Sequence, residues 1–123
     1  MDQPRLADYI DHMLGAVRRI QSYTANIGET EIRQNTFIQD AVPRNVEILG
    51  EASNQVLQRY RDFAIAHLEV PLRAARSMRN LLVHGCFTIN LAVVWQTVTR
   101  DLPTLLAELE QIRTQLGDPA GTE

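Results

Sequence analysis

Apolar residues recur at helical spacing along the whole of this chain, and no convincing segment alternates as a strand would. Leu6, Ile10, Met13, Val17 and Ile20 follow one another at intervals of four, three, four and three, which places them on one stripe of a helix. Asp2 or Gln3 precedes Pro4, a residue suited to a first turn, and Gly28 is the expected stop. A second helix is expected from about Asn35 to Arg59, with Phe37, Ile38, Val42, Val46, Leu49, Val56 and Leu57 as its apolar face. Pro43 lies inside that pattern, so the helix either kinks there or begins there with Asp40 nearby as cap. Tyr60 to Val70 reads as a helix end and connection. Pro71 then opens a third helix expected to run to His84 and stop at Gly85. Asn90 is a good cap for a last helix carrying Leu91, Val94, Trp95, Val98, Leu102, Leu105, Leu106, Leu109 and Ile112, with Pro103 bending it. The segment Cys86–Ile89 is too short for a strand. The expectation is an all-α fold: an antiparallel bundle of four to five helices forming one domain over residues 1–116, followed by a frayed tail over 117–123.

A chain of 123 residues fits one such domain and needs no covalent staple. Its single cysteine, Cys86, excludes an internal disulfide framework and a thiolate zinc site. No apolar run approaches the ~20 residues that span a bilayer. The opening Met-Asp-Gln-Pro-Arg has no apolar secretory core, so a cytoplasmic location without a membrane is expected. There is no Gly-rich phosphate loop, no Gly-x-Ser-x-Gly, no His-x-x-x-His and no Glu-x-x-His, so no cofactor and no metal site are expected.

The net charge of −3 speaks against wholesale coating by nucleic acid, yet the distribution is uneven. All 12 basic residues are arginine, and between Glu69 and Asp101 there is no acidic residue, while Arg73, Arg76, Arg79 and Arg100 lie there. Such a stretch suits a local anion site. On a helical wheel of about 100° per residue, Pro71, Ala75, Met78, Leu81 and Leu82 share the core arc. Arg73, Asn80 and His84 fall opposite, flanked by Arg76 and Ser77, and Arg79 lies at the border. Asn80 and His84 are four apart, so the amide can hold the imidazole in one tautomer. Arg79 and His84 stand about 140° apart on one helix, so they converge only through Arg79's length, a frayed last turn or a second subunit. The bland alternative is a solvated polar face with a helix-ending histidine near the C-terminal dipole. His12, on the polar side of the first helix, and His67, in the connection, are weaker candidates. Gly50, inside Glu47–Ala52, costs a helix about 1 kcal/mol relative to Ala and is expected to permit a close approach between helices.

Arg79-Asn80, four residues and then His84 resemble the Arg-polar-x-x-x-x-His signature of HEPN domains. More closely, Gln39–Val42, Arg44–Ala52, Val70–Arg73, Met78–Gly85, Leu91–Trp95 and Asp101–Pro103 resemble successive blocks of HepT-like proteins, the toxin halves of HepT/MntA toxin–antitoxin modules. The resemblance spans nearly the whole chain. It implies a homodimer that brings two Arg–His motifs into one cleft and cleaves RNA without metal, with Arg79 and His84 catalytic, Asn80 supporting, and Arg73 and Arg76 on the RNA. It also implies a minimal nucleotidyltransferase antitoxin, MntA-like, that adds AMP to a tyrosine two residues after the histidine. Cys86 stands at that position here, so the acceptor is absent. The chemistry is consistent: a histidine titrates near neutrality and moves protons, and an arginine stays charged on phosphate. Two other readings use the same residues: a non-catalytic helical subunit that partners a nucleotidyltransferase, and a structural dimerisation module.

Overall fold

The computed structural model describes residues 5–79 and 95–117, and every element among them is helical. Helix α1 spans Leu6–Thr24. Its start is fixed by the Arg5 backbone N–H, which donates to the Asp8 carboxylate at 2.8 Å. That contact satisfies an orphan donor and puts negative charge at the positive end of the helix. Ile10, Met13, Val17 and Ile20 are fully buried, as the stripe requires. Gly28 follows the helix end but also starts a one-turn helix, α2 (Glu29–Ile32), where its N–H donates to Glu31 Oε1 at 2.7 Å.

Helix α3 spans Thr36–Arg59, and Asn35 caps it by accepting the Ile38 N–H at 3.1 Å. Pro43 therefore lies inside the helix rather than at its start, and Asp40 is not the cap. Phe37 departs from its expected place on the apolar face: it is 65% exposed. It sits in the first turn of α3, at the end of the α1–α3 pair, where it meets the Tyr23 ring edge-on. The two helices run antiparallel. Tyr9 meets Tyr60, Met13 meets Ser53, Arg19 meets Asn45 and Tyr23 meets Phe37.

The connection after α3 contains a short helix, α4 (Arg61–Ala66), with no buried residue. Pro71 precedes α5 (Leu72–Ser77), whose Leu72 and Ala75 are buried. The α-helix ends at Ser77, ahead of the expected end at His84, and a tightened turn follows in which the Arg79 N–H reaches the Arg76 carbonyl at 3.3 Å. Asn80, His84, Gly85, Cys86 and the Asn90 cap lie outside the described residues, as does the tail beyond Gly117.

Trp95 and Gln96 are helical and lead into a π-helical turn, Thr97–Asp101, before α6 (Leu102–Leu116). Pro103 has no N–H to give the preceding turn, and the chain meets this by placing it at the start of α6. Leu102, Leu105, Leu109 and Ile112 are buried on the expected face. Gly117 ends α6 at φ 74°, a left-handed conformation that suits glycine. In the resulting bundle α5 packs on α3, α3 on α1 and α1 on α6 around a single apolar cluster. Ion pairs from Arg113 to Asp11 and from Arg18 to Glu110 bridge α1 and α6 at the surface.

Candidate functional site

Arg79 lies in the turn after α5, four residues beyond the buried Ala75, and is half-buried, in keeping with its place at the border of the core arc. The side chain packs against α3 and finds a notch there. A β-carbon placed on Gly50 would lie 2.4 Å from Arg79 Cγ and 2.6 Å from Cδ, with the Arg76 carbonyl oxygen at 3.4 Å. Gly50 is thus the close-approach point that its place inside a helix suggested, and what approaches it is mainly the arginine stem. Beyond the notch the guanidinium turns outward, and its Nη1 donates to Glu51 Oε1 at 2.9 Å. The two side chains are 39% and 56% exposed, so the ion pair itself contributes only about 0–1 kcal/mol to stability. Its worth is in direction.

The guanidinium lies on a cleft of about 550 Å³ between α1 and α3. Tyr9 and His12 line it from α1; Glu47, Ile48, Glu51 and Gln55 line it from α3. Arg44 also reaches the cleft and pairs with Glu47 at 3.4 Å. His12 is exposed and stands edge-on to the Tyr9 ring, which in turn meets Tyr60. The cleft therefore joins two arginines, two glutamates and an imidazole beside Ile48 and Ala52.

The sequence candidates are distributed unevenly. Arg79 is in the cleft. Arg76 is half-buried and contributes its carbonyl to the Gly50 contact, while Arg73 is exposed beside a shallow hollow lined by Leu57, Ala64 and Leu68. The sequence does not single out Tyr9 and Arg44 as site residues, and it offers His12 only as a weaker candidate. Arg44, Glu47, Glu51 and Gln55 follow a three-four-four spacing that does put them on one face. What brings Tyr9 and His12 opposite them is the antiparallel register of α1 and α3, which no local pattern encodes. Among the described residues no three His, Cys, Asp or Glu side chains gather as a metal cage, and no helix is long and apolar enough to cross a membrane.

Comparison with known proteins places these residues in context. The family model for ribonuclease HepT-like proteins matches residues 13–112. A protein of Thermococcus cleftensis named probable ribonuclease HepT is 34% identical over 106 residues, 86% of this chain and 94% of that protein. A Methanocaldococcus jannaschii protein, named a gamma-glutamylcyclotransferase and provisionally an RNase, is 31% identical over 108 residues. That alignment takes in 88% of this chain and 47% of the relative, so the chain spans about half of its length. A provisionally named RNase of Caldanaerobacter subterraneus is 26% identical over 112 residues, 91% of this chain and 96% of its own. No solved structure matches the chain. With the family model covering most of the described helices and Arg79 presented on a cleft between them, the chain belongs to the ribonuclease HepT-like family.

Proposed function

We propose that the protein is a metal-independent endoribonuclease, the toxin half of a HepT/MntA-like module, working as a homodimer whose two Arg–His motifs meet in one cleft. The observation that carries this reading is the presentation of Arg79: its stem is seated over Gly50 and its guanidinium faces a cleft large enough for a nucleotide. Family membership supplies the substrate class, RNA.

The reaction needs three groups. A base takes the proton of a ribose 2′-hydroxyl, and the 2′-oxygen attacks the adjacent phosphorus. The bond from phosphorus to the 5′-oxygen breaks, and an acid protonates that leaving oxygen. The products are a 2′,3′-cyclic phosphate and a free 5′-hydroxyl, with no change in oxidation state. Charge builds on the non-bridging oxygens in between, and Arg79, always protonated and able to bond in a bidentate manner, stabilises it. His84 supplies proton transfer, with Asn80 holding its tautomer. A single histidine cannot be base and acid in one turnover step, which is why a second copy of the motif is required. Arg73 and Arg76 hold the RNA strand on either side. A nucleotidyltransferase antitoxin is the expected partner.

The test is incubation of the purified protein with cellular RNA beside Arg79→Ala and His84→Ala. Cleavage by the wild type that both substitutions abolish, with melting curves and helical dichroism preserved, is the expected result. Full cleavage by His84→Ala would remove His84 from the chemistry, and no cleavage by the wild type would point instead to a non-catalytic binding subunit.

A further inference from the structure

We propose that Glu51 and Gln55 are positioning residues for Arg79, the working end of a hydrogen-bonded ladder along α3. The proposal deepens the ribonuclease reading and rests on it for its kinetic consequences, while its structural content stands on the geometry of α3.

The rungs are Arg59, Gln55 and Glu51, each four residues apart and so on one face of the helix. Arg59 Nε donates to Gln55 Oε1 at 2.6 Å. Gln55 Nε2 donates to Glu51 Oε2 at 3.1 Å. Arg79 Nη1 then donates to the other oxygen, Glu51 Oε1, at 2.9 Å. The polarity of the ladder is set by its charges. The Arg59 cation draws the oxygen end of the Gln55 amide, the Glu51 anion draws the NH₂ end, and both preferences are met by the same amide orientation. Glu51 therefore has a donor on each oxygen, and rotating its carboxylate would break one of them.

This arrangement holds Arg79 at two points. Its stem lies in the Gly50 notch, where a β-carbon would sit 2.4 Å from Cγ, and its Nη1 is tethered to Glu51. A guanidinium has five N–H donors, so with the stem seated in the notch the bond to Glu51 limits its swing and keeps donors for the two oxygens of a phosphodiester. Preorganisation of this kind acts on the transition state, because the cation then needs no reorientation as charge develops. The cost is electrostatic: a carboxylate beside the phosphate site weakens ground-state attraction for RNA. A positioning role thus has a signature that a structural role lacks. Removing Glu51 should lower kcat while leaving KM unchanged or lower.

Two measurements test this. In ¹⁵N-arginine-labelled protein, the Arg79 guanidinium, identified by the signal lost in Arg79→Lys, should give separate Nη resonances, the mark of hindered rotation. Glu51→Ala and Gln55→Ala should average them, and Gln55→Glu should do so too, because two carboxylates four residues apart repel. On RNA, Glu51→Ala should lose roughly tenfold or more in kcat without a rise in KM, Glu51→Gln should recover part of it through its remaining acceptor oxygen, and Gln55→Ala should fall between wild type and Glu51→Ala. Unchanged Arg79 resonances in Glu51→Ala would overturn the proposal, as would an unchanged kcat. If the wild type cuts no RNA, the ribonuclease reading fails, and the guanidinium resonances still judge the ladder.

Discussion

Arg79 is held by the Gly50 notch and by Glu51, so the proposed site gives Gly50 a role without any chemistry of its own. Alanine inside a helix is favoured over glycine by about 1 kcal/mol, so Gly50→Ala should not weaken α3 on propensity grounds. The new methyl would nevertheless meet Arg79 Cγ at 2.4 Å, and the stem would have to leave the notch. We predict a melting temperature within a few degrees of wild type alongside a loss of RNA cleavage approaching that of Arg79→Ala. A stable Gly50→Ala protein that cuts RNA at the wild-type rate would show that the notch does not matter. Cys86 carries a second prediction at this scale. It stands where the family resemblance places an AMP-accepting tyrosine, and a thiol gives a far more labile adduct than a phenol. A nucleotidyltransferase partner with ATP should leave the wild-type chain at its unmodified mass and should adenylylate Cys86→Tyr, placing negative charge where RNA phosphate must lie. An AMP adduct on the Gly85–Phe87 peptide of the wild type would contradict this.

Among the elements, α1 starts on a charge-dependent contact. The Asp8 carboxyl is held below the ordinary carboxylate range, chiefly by the Arg5 backbone N–H and further by the Arg5 charge. A carboxyl lowered by folding stabilises the native state above its unfolded pKa and loses that contribution as the pH falls through the folded value. Asp8→Asn should therefore melt below wild type at pH 7, and the gap should close as the pH is lowered below about 4, through the folded value. A gap that stays constant over that range would mean the contact is not electrostatic. The long elements were legible in the sequence because their apolar period repeats over several turns: α1, α3 and α6 bury most of the described residues that the spacing selects. Helix α2 was not, because four residues with one buried side chain, Ile32, carry no period. Pro43 left two starts open for α3, and the structure decides for Asn35 because that side chain reaches the Ile38 N–H. Phe37 was misplaced for a related reason: wheel position says which way a side chain points, but not whether a partner helix extends that far.

Across the whole molecule, the sequence led to Arg79 but not to its surroundings. An acid-free arginine segment and a family motif point to this residue, whereas the cleft exists only because antiparallel α1 and α3 bring Tyr9 and His12 across from Glu51 and Gln55. The proposed dimer extends the same logic by one level, since a second subunit supplies the proton-transfer group that one motif lacks. The proposed chemistry is RNA cleavage by arginine and histidine alone. Its most direct test is to digest a defined RNA in excess EDTA and to analyse the ends of the fragments. Undiminished cleavage leaving 2′,3′-cyclic phosphate and 5′-hydroxyl ends is the expected result. Cleavage that stops in EDTA and returns with magnesium, or fragments bearing 5′-phosphates, would contradict it.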